Sequence, residues 1–356
     1  MGNYIFYYSL SEFVCRLFHF HPHSINSTFQ HLAFQNHPKY HKNTLYLHIQ
    51  PLLLAPYNQK IAQELPPEEE GDIISIYGDD PDFKPLKHGY SQWGYKLESF
   101  GETMGEVRNP PLGRWDNFEH WKANLPDFTS NSRYRESHIM RKKYPDKFLI
   151  GGLSMMMMEI INLRGYANCM MDYYDEEANL NQLIDCIYDA GKKMVDGYAN
   201  AGLDAVIAWE DWGLQNGPMI SYDLWKDFYY ERMKDFVNYV HGKNMKYILH
   251  SCGHIIYLLD TFIEMGIDVI QLDQQMNMGL DILSQWKDKI CFWCPIDIQS
   301  SPAMTPEQMK EYTAKMIQAL CSKKGGFMYK IYSQPAAIHI SPKQLQYEIS
   351  LMKNAL

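Results

Sequence analysis

The chain has 356 residues, more than the usual single domain, yet α/β barrels run to this size as one unit and bury a large core. Its 33 basic and 42 acidic residues give a formal net charge of -9, which offers no electrostatic footprint for nucleic acid or an anionic membrane. The seven cysteines, at 15, 169, 186, 252, 291, 294 and 321, are odd in number and scattered, the usage expected of reduced thiols in a cytoplasmic protein.

Residues 1–45 crowd Phe18, His19, Phe20, His21 and His23 without the periodicity of a strand or a helix, and read as an irregular, poorly ordered arm. Its histidines are read as incidental rather than as a metal site. Arg16 interrupts the only apolar stretch there, so no secretory signal is expected, and no segment of the chain reaches the roughly 18 uninterrupted apolar residues of a membrane span. The packed domain is expected over 46–356. Leu45 to Leu54 is a candidate first packed piece, with Pro51 arguing against one continuous helix.

Asp72 to Tyr77 reads as a strand running into the acidic turn Gly78-Asp79-Asp80-Pro81-Asp82. Trp93 to Glu98 and Gly105 to Val107 read as a hairpin closed off by Pro110-Pro111, and Trp115, Trp121 and Pro126-Asp127-Phe128 as a helix and its connection. Then a repeating grammar sets in. Strands at Phe148–Gly152, Asp204–Trp209, Met245–Cys252, Asp268–Leu272, Ile290–Ile296 and Phe327–Tyr332 alternate with helices at Arg133–Lys143, Leu180–Ala201, Ser221–Lys243, Ile256–Met265, Asp281–Trp286, Pro306–Ser322 and Pro342–Ala355.

Strand followed by helix, repeatedly, predicts an α/β fold with a parallel sheet. About seven units are legible and one weak strand makes eight, so the expected architecture is a (β/α)8 TIM barrel with an irregular N-terminal extension. No glycine-rich phosphate turn follows any strand, which leaves a nucleotide-binding sheet without support. A barrel carries its site at the C-terminal ends of its strands. That rule brings together Glu210 and Asp211, His250 and Cys252, Asp273, Gln274 and Gln275, Cys294 and Asp297, and Tyr332, Ser333 and Gln334.

Within that set, His250 and Cys252 stand two apart at the end of the apolar run Tyr247 to Leu249 and so share one side of an extended segment. They are a candidate metal pair, against the alternative of a hydrogen-bonded core histidine and a small buried thiol. Cys291 and Cys294 form a single CxxC, more in keeping with ordinary core thiols. Met155 and Met156, in a run of four methionines, are candidates to line a pocket, with a plain core contact as the other reading. Arg164 and Tyr166 are candidates for an anionic substrate, with a structural ion pair as the alternative. Trp209 and Trp212 flank the acidic pair as candidate walls.

The runs Leu249-His250-Ser251-Cys252-Gly253, Ile263-Glu264-Met265-Gly266-Ile267-Asp268, Asp297-Ile298-Gln299, Thr305-Pro306-Glu307 and Gly325-Gly326 resemble the uroporphyrinogen decarboxylase superfamily, and within it the corrinoid-dependent methyltransferase branch. The likeness spans roughly residues 70 to 356. It implies a (β/α)8 barrel that holds Zn2+ with a His-x-Cys pair and a cysteine after the last strand. It also implies transfer of methyl groups between a corrinoid (cobalamin) carried by a partner protein and a thiol or a small methylated substrate. His250 and Cys252 match the pair, whereas Ser333-Gln334-Pro335 stands where the final cysteine belongs.

Glu210 is the preferred third zinc ligand on this reading, with Cys294 as runner-up. A carboxylate in place of a thiolate makes the ion a stronger Lewis acid, which suits demethylation of a methoxylated small molecule. The expected catalytic residues are Glu210, Asp211 and Asp273, and the expected substrate contacts are Met155, Met156, Trp209, Trp212, Gln274, Gln275 and Tyr332. Two alternatives stand beside this one. A decarboxylase of the uroporphyrinogen type needs no metal but recognises its polycarboxylate through an arginine-rich N-terminal segment that this chain lacks; a catalytically silent barrel would only bind a corrinoid protein.

Overall fold

The structure, a computed structural model, describes residues 49–51 and 73–355 apart from 86, 88, 99–104, 155 and 332–334. The arm expected at 1–45 therefore lies outside the described residues. Strands β1 (Ile49–Pro51) and β2 (Ile73–Tyr77) come first, followed by a short antiparallel ribbon of β3 (Leu97–Glu98) and β4 (Glu106–Val107), the expected hairpin. The remaining strands are β5 (Phe148–Ser154), β6 (Ala205–Glu210), β7 (Lys246–Ser251), β8 (Val269–Gln271), β9 (Cys291–Cys294) and β10 (Phe327–Tyr329). All but β3 and β4 form one sheet in the order β1-β2-β5-β6-β7-β8-β9-β10, every pair parallel. The weak strand that completes eight is β1, in the segment where Pro51 excluded a continuous helix.

The helices that separate the strands are α1 (Phe118–Ala123), α2 (Arg135–Lys143), α3 (Met156–Arg164), α4 (Tyr166–Asp175), α5 (Glu177–Asn200), α6 (Tyr222–Trp225), α7 (Glu231–Gly242), α8 (Ile256–Met265), α9 (Leu280–Leu283), α10 (Pro306–Leu320) and α11 (Pro342–Ala355). Local chemistry explains their ends. Thr305 and Gln308 form a reciprocal capping box at α10, with Pro306 in the first turn, where its missing N–H costs nothing. Gly266 closes α8 at φ +88, a left-handed position that disfavours a side chain. Along α5, Leu180, Leu183, Ile184, Ile187, Met194, Val195 and Tyr198 recur at helical spacing and are buried together. The helix expected over Ser221–Lys243 is α6 and α7 joined by a π-helical turn at Lys226–Tyr230.

Helices α3 and α4 were not expected; this stretch was read as a methionine run and a loop. Its residues are apolar on every side of α3, so no helical stripe shows, and Gly165 at φ +80 breaks the helix between them.

The sheet has two apolar faces, and successive side chains divide between them as a pleat requires. Ile73, Phe148, Ile150, Ala205, Ile207, Ile248, Val269, Cys291, Trp293 and Met328 form an inner cluster, with Trp209 packed on it. The alternate residues, among them Ile74, Leu149, Val206, Ala208, Tyr247, Leu249, Ile270, Phe292 and Cys294, join the helices in the larger outer core. The sheet is curled. Lys330, just after β10, brings its Nζ within 5.7 Å of the Trp209 ring on β6, four strands away in the sheet order. Flat, that separation is about 19 Å. Among the described residues no pairing joins β10 back to β1, so the expected closed barrel is seen only as a curled, helix-covered parallel sheet.

Gly151 and Gly152 make room on both faces at once. A Cβ on Gly151 would enter the Tyr198 ring from the outer side, and one on Gly152 would enter the Tyr77 ring from the inner side. Tyr77 so seated stacks on Trp209, with centroids 6.5 Å apart, and Trp209 in turn lies 4.9 Å from the His250 ring.

Candidate metal site

Strands β6 and β7 pair with Trp209 beside His250 and Glu210 beside Ser251, so the residues that follow each strand emerge together. Their loops are tied to one another. The Trp212 N–H donates to Ser251 Oγ (3.0 Å), the Cys252 N–H to Asp211 Oδ1 (3.0 Å) and the His254 N–H to the Leu214 carbonyl (2.7 Å). Gly253, at φ +78, lies so close to the Gly213 backbone that a Cβ on either would overlap the other loop.

The outcome is a cluster in which a carboxylate oxygen of Asp211, a ring nitrogen of His250 and the sulfur of Cys252 all lie within 4.8 Å of one another. Cys252 Sγ is 3.5 Å from His250 Nε2, which is 3.6 Å from Asp211 Oδ1. Ligands bound tetrahedrally at about 2.0–2.3 Å sit about 3.3–3.6 Å apart, so one ion fits between these atoms with little movement. One nitrogen, one sulfur and one oxygen are a donor set that zinc accepts, and three protein ligands leave a fourth position open. Burial pushes the Cys252 thiol well up, and the charges of Asp211 and Asp273 add to this against a smaller opposing effect of Lys330. The unliganded thiol therefore keeps its proton, and a dication binding there has to displace it.

A buried polar chain stands behind the histidine. His250 Nδ1 is hydrogen-bonded to Gln271 Oε1, its register partner on β8. Gln271 Nε2 donates to Asp273 Oδ1 (2.7 Å), and Lys330 Nζ donates to Gln271 Oε1 (3.1 Å) and to both Asp273 oxygens (2.8 and 2.9 Å). Burial by itself would push the Asp273 carboxyl up, but the charge of Lys330 and the hydrogen bonds from Lys330 and Gln271 hold it below the usual carboxylate range. Asp273 is thus an ion-paired anchor, poorly suited to donate a proton.

The structure places several of the expected residues away from the cluster. Glu210, the preferred third ligand, lies on the outer face of β6 and is not in the cluster; its Oε2 accepts the Met157 N–H at 3.1 Å from α3. Burial pushes its carboxyl well up, and the neighbouring Asp211 and Glu159 charges push it further. Asp211, one residue on, takes the place by the metal pair. Cys294, the runner-up, packs in the outer core, and Cys291 in the inner one. Trp212 is fully buried against Trp225 and Tyr229 and lines no opening. Met156 is also fully buried in the outer core, at φ +53.

The Gln274 and Gln275 amides serve the loops: Gln274 Oε1 accepts the Gly253 N–H (3.0 Å), and Gln275 Nε2 donates to the Pro295 carbonyl (2.9 Å). Asp297 accepts from the backbone of Met276, Gln299 and Ser300. Arg164 grips Asp172 through Nε and Nη2 (2.6 and 2.8 Å), the structural alternative, while the Trp209 ring lies beside that of His250. Met155, Tyr332, Ser333 and Gln334 lie outside the described residues.

Gln271 and Lys330 are the residues around the cluster that the sequence reading missed. Each carried a signal. Gln271 stands two before Asp273, and Lys330 is a single cation in the apolar run from Phe327 to Ile331.

Comparison with known proteins bears on the fold and the family. No curated protein matches the sequence. Among solved structures, the methyltransferase from Methanosarcina mazei has a TM-score of 0.53 at 14% identity, over 74% of this chain and 75% of that one. Xylanase 10B from Thermotoga maritima has a TM-score of 0.45 at 12% identity, over 88% of this chain and 95% of that one. At such identities the first of these is a likeness of fold. The family model for uroporphyrinogen decarboxylase (URO-D) matches residues 107–329, which take in β5 to β10 and the whole Asp211, His250 and Cys252 cluster. With more than half of its length so matched, the chain belongs to the uroporphyrinogen decarboxylase (URO-D) family.

Proposed function

We propose that this protein is a zinc-dependent methyltransferase that moves a methyl group between a methoxylated small molecule and a corrinoid carried by a partner protein, acting in the cytoplasm. The observation that carries the reading is the convergence of Asp211, His250 and Cys252, with sulfur, nitrogen and oxygen at ligand spacing. The methyltransferase among its structural neighbours supports it. We further propose that the curled sheet closes as a (β/α)8 barrel, and that no membrane is involved; no helix among the described residues is long and apolar enough to cross one.

Asp211, His250 and Cys252 would hold the ion. A zinc ion there supplies a Lewis acid that polarises a bound oxygen. The chain's own residues do the rest. Gln271 holds the His250 ring in place, Asp273 and Lys330 neutralise one another behind it, and Trp209 with Tyr77 forms an aromatic wall beside the donors. Partial burial of that wall keeps bulk water from one side of the cluster, where an electrostatic contact gains strength. The set contains one thiolate where the thiol-methylating pattern has two, which favours an oxygen-bound methyl group as the donor.

A metal-free decarboxylase is the reading that the family name favours. Against it, Lys330 is committed to Asp273 and Gln271, and the turn after β2 carries Asp79, Asp80 and Asp82, which repel a polycarboxylate. The test is to load the purified protein with zinc, add reduced corrinoid protein and candidate methyl ethers, and follow methylation of the corrinoid together with release of the free alcohol or phenol. Methylation that needs zinc and disappears in His250→Ala is expected. Decarboxylation of a porphyrinogen by metal-free protein would overturn the proposal.

A further inference from the structure

We propose that Gln271 is the positioning residue of this metal site: its carbonyl oxygen selects the His250 tautomer that leaves Nε2 free for an ion, and the Asp273–Lys330 ion pair decides which end of the amide meets the ring. The inference rests on reading Asp211, His250 and Cys252 as metal ligands.

A neutral imidazole carries its proton on one nitrogen only, and the nitrogen without it is the one that can bind a metal. The two ends of an amide are alike in shape, so the side chain by itself could meet Nδ1 with either a donor or an acceptor. Its surroundings remove that freedom. Lys330 Nζ, a donor with no lone pair, lies 3.1 Å from one end, and an Asp273 carboxylate oxygen, an acceptor, lies 2.7 Å from the other. A reversed amide would set its NH2 against the ammonium and its oxygen against the carboxylate. Gln271 is fully buried, so water cannot relieve either clash.

With the amide so fixed, its oxygen faces Nδ1 and accepts that nitrogen's proton in a hydrogen bond. Nε2 is then bare, 3.5 Å from Cys252 Sγ and 3.6 Å from Asp211 Oδ1. An amide has a further consequence that a carboxylate at this position would not. It orients the ring without adding charge to a site that already gathers Asp211, Cys252 and Asp273.

The test uses the full chain in two measurements. Nitrogen NMR of the histidine rings in metal-free protein, with the His250 signals assigned by their loss in His250→Ala, reads the tautomer directly; competition with a zinc chelator reads the affinity for zinc. Wild type should carry His250 with its proton on Nδ1. Gln271→Met should lose that preference and bind zinc about 10- to 100-fold more weakly. Gln271→Glu, which keeps an acceptor beside Lys330, should restore the tautomer and most of the affinity.

If Gln271→Met fails to fold, Asp273→Asn combined with Lys330→Met carries the test, because it keeps Gln271 but frees both ends of its amide, and mixed tautomers are expected. The wild-type tautomer persisting in Gln271→Met, or in its replacement test, overturns the proposal. Wild type that shows the expected tautomer but binds no zinc would instead overturn the metal reading and leave the role of Gln271 standing.

Discussion

Glu210 and Asp211 are neighbours in the chain, both acidic and both buried, yet they live on opposite faces of the same sheet. Glu210 is turned to the helices, where its charge would be felt by Tyr173, Tyr188, Tyr229 and Tyr247, and burial keeps its carboxyl protonated beyond the ordinary range. Asp211 has passed the end of β6 and is turned to His250 and Cys252. Burial by itself therefore does not bring a carboxylate to the cluster. The face of the strand decides, because a pleat sends successive side chains to environments that share no atoms.

The largest effect that tests this contrast is on metal binding. Asp211→Ala should lower zinc affinity by about 100-fold or more, as loss of one of three protein ligands would, while circular dichroism stays that of the wild type. Equilibrium dialysis with metal analysis reads it, and stoichiometric zinc in the variant would remove Asp211 from the site. Gly152→Val comes next. A branched side chain there displaces the Tyr77 ring from Trp209, and urea unfolding should register a cost of about 1–3 kcal/mol. No loss of stability would mean that the ring has room to move.

A pH effect belongs to the outer face. Glu348 on α11 has its carboxyl pushed up from 4.5 to about 8, mainly by burial. Its pKa is higher folded than unfolded, so the folded state binds the proton more tightly. The stabilisation is complete below about pH 4.5 and is lost as pH rises to about 8, with a slope of at most about 1.4 kcal/mol per pH unit. Glu348→Gln should flatten that part of the stability profile, measured by urea unfolding at several pH values; an unchanged slope would contradict the burial argument. The smallest effect expected is that of Glu210→Gln on zinc affinity, less than about twofold, since a neutral amide replaces a neutral acid away from the donors. A loss comparable to that of Asp211→Ala would return Glu210 to the ligand set.

The alternation of strands and helices from Phe148 onward was legible because each unit repeats the same change of hydrophobic period. The His250 and Cys252 pair was legible too, as two residues on one side of an extended run. Helix α3 escaped because a helix buried all round has no stripe to read. The outward turn of Glu210 was not legible for a related reason. In Ala205-Val206-Ile207-Ala208-Trp209 both faces are apolar, so the pattern does not say which one turns inward.

The sequence by itself thus determined the parallel α/β order and the pairing of His250 with Cys252 at a strand end, both of which follow from local period and from strand-end position. Only the tertiary structure decided that Asp211 rather than Glu210 joins them, and that Gln271, Asp273 and Lys330 stand behind the histidine. Those choices depend on the register between β6, β7 and β8 and on the curl that brings β10 across to β6. Register and curl are properties of how strands meet, set by the packing of the whole inner face, and no single stretch of chain contains them.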